Sequence, residues 1–184
     1  MSEYHEVTGT EAMGYLATKP TIIVTTLHES GVINAGVFGA YTNLSPSQVG
    51  AAISTGSHTY ENILREEKYV INVPRAEIVD ALSILADSLP EDKSEVYEAG
   101  LCTRDGVVLD VPSICQCAAA VEMRFQQEIP IGHHSFLIGE CVGGWIKEEY
   151  LDDDGKIDIF AAEVIKDFKY PKPLYVLPGK VIEG

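Results

Sequence analysis

Thr21-Ile22-Ile23-Val24-Thr25-Thr26-Leu27, followed by His28-Glu29-Ser30-Gly31 and then Val32-Ile33-Asn34-Ala35-Gly36-Val37-Phe38, decides the fold. The first run is β-branched and nearly all apolar, the composition of a strand buried on both faces. The next four residues read as a turn and the third run resumes the strand pattern, which predicts a hairpin. Outward from it, residues 41–47 read as a polar loop carrying Pro46, and residues 49–54 as a third strand. Residues 57–67 predict a helix that Ser57 and Thr59 can both cap, with Ile63 and Leu64 toward the core. Lys68-Tyr69-Val70-Ile71-Asn72-Val73 is a further strand, stopped by Pro74.

Residues 76–89 show a helical period. Ile78, Val79, Leu82, Leu85, Ala86 and Leu89 form one apolar stripe, and Pro90 ends it. A short helix over 94–99 is capped by Ser94 and ended by Gly100. Strands return over 113–129, 135–147 and 157–164, with Asp152-Asp153-Asp154-Gly155 as a hairpin tip between the last two. A doubly wound parallel sheet needs a helix after nearly every strand, and this chain does not supply them. The expected fold is therefore mainly β: an antiparallel barrel with a helical insertion and flanking helices. No linker divides the chain, so residues 1–184 read as a single domain.

The 184 residues carry 13 Lys and Arg against 28 Asp and Glu, a formal net charge of −15. That balance argues against nucleic acid or an anionic membrane as the main partner. The opening Met-Ser-Glu-Tyr-His-Glu has no export-signal pattern, and no apolar run approaches the ~18 residues that span a bilayer. A cytoplasmic location with Cys102, Cys115, Cys117 and Cys141 reduced is the expectation.

Ser54-Thr55-Gly56-Ser57-His58-Thr59 places four hydroxyls and a glycine between a strand and a helix. Exposed amides and the positive end of the helix dipole suit an anion such as a phosphate there, while a plain helix cap uses the same residues. Other templates fail. Gly36-Val37-Phe38-Gly39 is no dinucleotide fingerprint, there is no P-loop, and no nucleophile elbow signals an acyl-transfer triad. The acidic run 152–154 lacks the alternate spacing of a calcium loop, and no metal ligand set is expected. Cys115-Gln116-Cys117 puts both sulfurs on one face of a strand as small hydrophobes. His133 and His134 precede a strand and point to opposite sides, so one of them can face a site. Trp145, the only tryptophan, suits either an interface or the core.

The order of these motifs resembles the flavin reductase-like family of FMN-binding split barrels, with flavoredoxin as a similar member. The resemblance runs from Pro20-Thr21-Ile22-Ile23-Val24-Thr25-Thr26 through Gly31-x-x-Asn34-Ala35-Gly36 and Ser57-His58-Thr59-Tyr60-Glu61-Asn62-Ile63. It continues in Tyr69-Val70-Ile71-Asn72-Val73-Pro74, Tyr97-Glu98-Ala99-Gly100-Leu101 and Pro112-Ser113-Ile114. His134-Ser135-Phe136-Leu137-Ile138-Gly139-Glu140-Cys141-Val142 and Pro173-Leu174-Tyr175 complete it. It implies a six-stranded Greek-key split barrel that dimerises and binds FMN near the subunit interface. It also implies an oxidoreductase passing electrons from NAD(P)H through flavin to an acceptor. By that resemblance Asn34, Ala35, Gly36, Val37 and Phe38 lie along the isoalloxazine, and Tyr41, Thr42 and Asn43 form its polar edge. Ser54, Thr55, Ser57, His58 and Thr59 hold the phosphate, and His134 stands in the catalytic region of flavin and nicotinamide. Two departures stand out: Ser54-Thr55 occupies a place where some relatives carry arginine, and Gln116 stands where an acidic residue is expected. A non-enzymatic FMN electron carrier docking to a basic redox partner is the competing expectation. A haem module using one of His5, His28, His58, His133 or His134 is a third.

Overall fold

The computed structural model describes residues 10, 18–169 and 173–182. Its centre is a seven-stranded antiparallel sheet. The chain enters through β1 (Thr18–Pro20) and runs the expected hairpin as β2 (Ile22–Leu27) and β3 (Ile33–Phe38). Then come β4 (Tyr41–Asn43), β5 (Gln48–Ser54), helix α1 (His58–Glu66) and β6 (Lys68–Val73). Short helices α2 (Leu82–Leu85) and α3 (Glu95–Glu98) lead to the two-stranded sheet β7 (Thr103–Arg104) and β8 (Ser113–Ile114). The long ribbon β9 (Ala119–Ile131) and β10 (His134–Ile146) follows, and β11 (Lys166–Lys169) pairs with β1 on one side and with β12 (Pro173–Val176) on the other.

The central strand order is β3-β2-β6-β9-β10-β5-β4. β3 and β4 are consecutive in the chain yet lie at opposite edges, joined only through Gly39 and Ala40. A two-residue connection reaches across only if the sheet curls back on itself, and the Ala52 N–H donating to the Ala40 carbonyl at 2.8 Å holds that seam. Six of these strands form the expected barrel. The seventh, β4, occupies the start of a stretch that reads as a polar loop. Inside lie Ile22, Val24, Ala51, Ile53, Ile63, Tyr69, Met123 and Leu137. A second cluster, with Ile23, Ile33, Ala35, Ile78, Leu82, Leu85 and Val96, packs the helical insertion on the hairpin. The mostly β-branched β2 is buried on both faces because each face meets one of these clusters.

Four sequence expectations are corrected. The helix over 76–89 is instead a 3-10 stretch at Ala76–Ala81, kinked at Ile78, followed by the single turn of α2. Ile78, Leu82 and Leu85 are still buried, whereas Ala86 is exposed. The strand over 113–129 is broken between Ile114 and Ala119, where the Cys117 N–H turns back to the Ile114 carbonyl. Cys115 and Cys117 therefore share no strand face: Cys117 is buried in the core and Cys115 half-buried on a turn. Residues 157–164 are turns rather than a strand, because the Asp158 carboxylate accepts from the Phe160 and Ala161 N–H groups. The acidic tip 152–155 remains a turn, closed by a bridge between Leu151 and Ile157, with Gly155 at φ 73°.

Candidate functional site

β3 has a neighbour on one side only, so alternate residues point their backbone groups away from the sheet. The Ala35 N–H faces outward, where it donates to Glu95 Oε2 at 3.1 Å, and by strand alternation the Val37 amide and carbonyl face outward too. Glu95 is 1% exposed, and its other oxygen accepts from the Leu89 N–H at 3.2 Å. One buried carboxylate thus ties the helical insertion to the edge of β3. Sequence reading placed Glu95 in a short helix and missed this role. Its single signal was a charged residue beside Val96, a core position.

Beyond Glu95 the free edge of β3 opens into a cavity of about 700 Å³. Val37, Phe38, Ala52, Leu82, His134 and Tyr175 are among its walls. Three sequence-predicted residues, Val37, Phe38 and His134, line this opening. A methyl group on Gly36 would sit 2.8 Å from the Phe38 ring and 3.0 Å from Thr59 Oγ1, so only glycine leaves Phe38 in place. The insertion walls, Val79, Asp80, Leu82 and Ser83, carried an apolar stripe in the sequence but no sign of facing a site.

Asn34 and Thr59 are not surface ligands. Asn34 Nδ2 donates to Thr26 Oγ1 at 2.9 Å and to Thr59 Oγ1 at 3.0 Å, and Thr59 is 3% exposed. Asn62 Nδ2 donates to the same Thr26 hydroxyl at 3.1 Å. This buried polar cluster fixes the start of α1 against the hairpin. The Thr59 side chain, which the resemblance assigns to a phosphate, turns its hydroxyl inward onto Asn34. His28 lies beside it, its ring 5.0 Å from that of His58 and nearly perpendicular. Burial, and then the neighbouring His58, push the His28 imidazole below its ordinary value.

The strand-to-helix junction is capped by Ser57, whose Oγ accepts from the Tyr60 N–H at 3.3 Å and donates to the Ser54 carbonyl at 2.8 Å. Thr55 Oγ1 donates to the His133 carbonyl at 3.3 Å. Among the described residues, the backbone N–H groups of Gly56, His58 and Thr59 have no protein partner, which is the normal deficit of a helix N-terminus. These amides and the exposed Ser54 hydroxyl are hydrogen-bond donors left open at the junction. The β5–β10 register sets Ser54 opposite His134, so the junction adjoins the cavity mouth.

β4 departs from expectation. Tyr41 lines a separate cavity of about 290 Å³ with Pro20, Thr21 and Ile165, and burial pushes its phenol up. Thr42 and Asn43 are exposed on the outer edge. Trp145 is half-buried, donating from Nε1 to Ser113 Oγ at 2.8 Å under the Arg104 guanidinium, so it packs within the chain. No helix among the described residues is long and apolar enough to cross a membrane.

The fold recurs in known proteins. The chain is similar to an uncharacterized protein of Halalkalibacterium halodurans, 29% identical over 156 residues that cover 78% of this chain and 75% of the relative. Its fold matches flavoredoxin of Desulfovibrio vulgaris (Miyazaki F) with a TM-score of 0.82 at 20% identity, covering 91% of this chain and 90% of the other. It also matches an FMN-binding protein from Thermus thermophilus, solved with bound 1-cyclohex-2-enone. There the TM-score is 0.80 at 19% identity, covering 100% of this chain and 99% of the other. Residues 13–166 match the family model described as the flavin reductase like domain, and the chain belongs to that family.

Proposed function

We propose that the chain binds FMN in the cavity along β3 and passes electrons from NAD(P)H through it to an acceptor. The observation that carries this reading is that the cavity along β3 is also lined by His134, whose β-register partner Ser54 stands just ahead of the unpaired amides at the start of α1. A planar ring system with polar edges fits an unpaired strand edge, because amide and carbonyl alternate there as donor and acceptor. A phosphate ester fits the amides of Gly56, His58 and Thr59 with the Ser54 hydroxyl, since the helix dipole favours an anion even in a chain of net charge −15. When bound, the flavin supplies the hydride and electron chemistry.

The protein's part is position and proton supply. Glu95 and the Asn34–Thr59 contact hold β3 and α1 at a set separation, so the ring and phosphate sites keep one spacing. Phe38 and Leu82 give the cavity apolar walls that exclude water from one side. His134, at the cavity mouth, is the residue placed to donate or accept a proton there. No nucleophile is required for this chemistry.

A homodimer is the proposed working form. Ile129 and Ile131 are 43% and 57% exposed at the end of the β9–β10 ribbon, close to Ser54 and His134, and a second copy would cover them. Sedimentation of the FMN-loaded protein as a 20.0 kDa particle would refute it. Steady-state oxidation of NADH or NADPH with added FMN tests the enzymatic reading. Turnover supports it. Bound FMN that neither nucleotide reduces would support instead an electron carrier, for which the net charge suits docking on a basic partner protein.

A further inference from the structure

The small β7–β8 sheet sets Cys102 opposite Cys115, one step beyond the Thr103–Ile114 pair. The Cys115 N–H donates to the Cys102 carbonyl at 2.9 Å, which extends the pairing by one bond, while the Cys102 N–H turns to the Gln116 side chain. A hydrogen-bonded antiparallel pair has Cα atoms about 5.5 Å apart, inside the roughly 4.4–6.8 Å range that a disulfide spans. The thiols interact: burial pushes the Cys115 thiol up, and the neighbouring Cys102 adds to that. Cys102 is exposed and Cys115 half-buried, which suits one thiol that reacts first and one that resolves. Gln116 completes the arrangement. Its Oε1 accepts from the Cys102 N–H at 3.2 Å and from the Cys102 thiol at 3.6 Å. A carboxylate in that place would oppose a thiolate more strongly than the neutral amide does.

We propose that Cys102 and Cys115 form a redox-active dithiol, a modification site that low-molecular-weight disulfides oxidise to an intramolecular disulfide. The Cys102 thiolate attacks one sulfur of the small disulfide RSSR and releases RS⁻, leaving a mixed disulfide on Cys102. Cys115 gives its proton to solvent and attacks the Cys102 sulfur, releasing the second RS⁻. Two protein thiols become one S–S bond as one RSSR becomes two RSH. Formation of the bond ties β7, directly after α3, to β8, whose Ile114 N–H is held by Asn72 Oδ1 at 2.8 Å.

The test uses the full chain and glutathione disulfide, followed by alkylation and trypsin digestion without reductant. Cleavage after Lys93, Arg104 and Arg124 separates the two cysteines into peptides 94–104 and 105–124. The expected product is these two peptides joined, two hydrogens lighter than their sum, with fragmentation placing the bond at Cys115. Cys102→Ser abolishes the link, Cys115→Ser leaves glutathione trapped on Cys102, and Cys117→Ser keeps the link. Glutathionylation of Cys102 without a link in the natural protein, or a link through Cys117 or Cys141, overturns the assignment. The natural protein's spectrum decides alone if a variant does not fold.

Discussion

Thr59→Val separates a ligand from a positioning residue, because it keeps the side chain's shape and deletes its hydroxyl. In the structure that hydroxyl is buried and accepts from Asn34 Nδ2 at 3.0 Å. Removing it leaves one amide hydrogen of Asn34 without a partner while the other still meets Thr26 at 2.9 Å. A buried donor left unsatisfied costs about 1–3 kcal/mol, and the valine methyl recovers a little of that by burial. The expected loss of stability is therefore about 1–2 kcal/mol, read by urea denaturation with an unchanged m-value. The Thr59 backbone N–H is untouched, so the proposed phosphate contact survives. FMN and riboflavin affinities should fall together, by less than about tenfold, a change worth ~1.4 kcal/mol. A selective loss of FMN affinity with riboflavin unaffected would show that the hydroxyl reads the phosphate directly, and the inward assignment would be wrong.

Other substitutions test neighbouring links. Gly36→Ala pushes a methyl group to 2.8 Å from the Phe38 ring; displacing that cavity wall should cost about 1–3 kcal/mol and weaken flavin binding, measured by thermal melting and flavin titration. Glu95→Ala strips the Ala35 and Leu89 N–H groups of their acceptor, so we expect about 2–4 kcal/mol of destabilisation and a loosened β3 edge, seen as faster amide exchange at Ala35. Glu122 is buried and accepts from the Val107, Val108 and Leu109 N–H groups at 2.5, 2.8 and 2.6 Å. Burial pushes its carboxyl up, but those three donors and Arg104 outweigh it and hold the group below its ordinary value. Its stabilisation is thus complete above the unfolded value of about 4.3 and is lost as pH falls through the lower folded value. Glu122→Gln should flatten the acid limb of stability against pH, and an unchanged limb would contradict the role. His134→Ala should leave melting temperature nearly unchanged while slowing flavin reduction by NAD(P)H at saturating FMN, followed by stopped-flow absorbance.

The barrel was legible in sequence because its strands answer to local composition. The β2–β3 hairpin and β6 carry β-branched residues between clear breakers, and the structure places them within a residue of the expected bounds. The insertion was legible in part. The stripe from Ile78 to Leu85 does face the core, but φ −107° and ψ 15° at Ile78 break the helix that the period implied. Residues 157–164 show the opposite error, for their β-branched content is overridden by one Asp158 side chain holding a turn. At the site, the cavity wall at Val37 and Phe38 and the helix junction were visible as linear stretches. The inward turn of Thr59 was not, since it depends on the phase of α1 against a hairpin distant in sequence. Nor was Glu95, whose carboxylate is defined by two backbone N–H groups that only the fold brings together.

Equilibrium titration of the purified protein with FMN and with riboflavin bears most directly on the claim that one chain holds a flavin with its phosphate at the start of α1. The site offers several amide donors to a dianion, and a charge-assisted hydrogen bond is worth about 1.5–3 kcal/mol. We therefore expect one FMN per chain, bound at least tenfold more tightly than riboflavin. Equal affinity for the two would remove the phosphate from α1, and a protein that stays colourless in FMN would contradict the account as a whole.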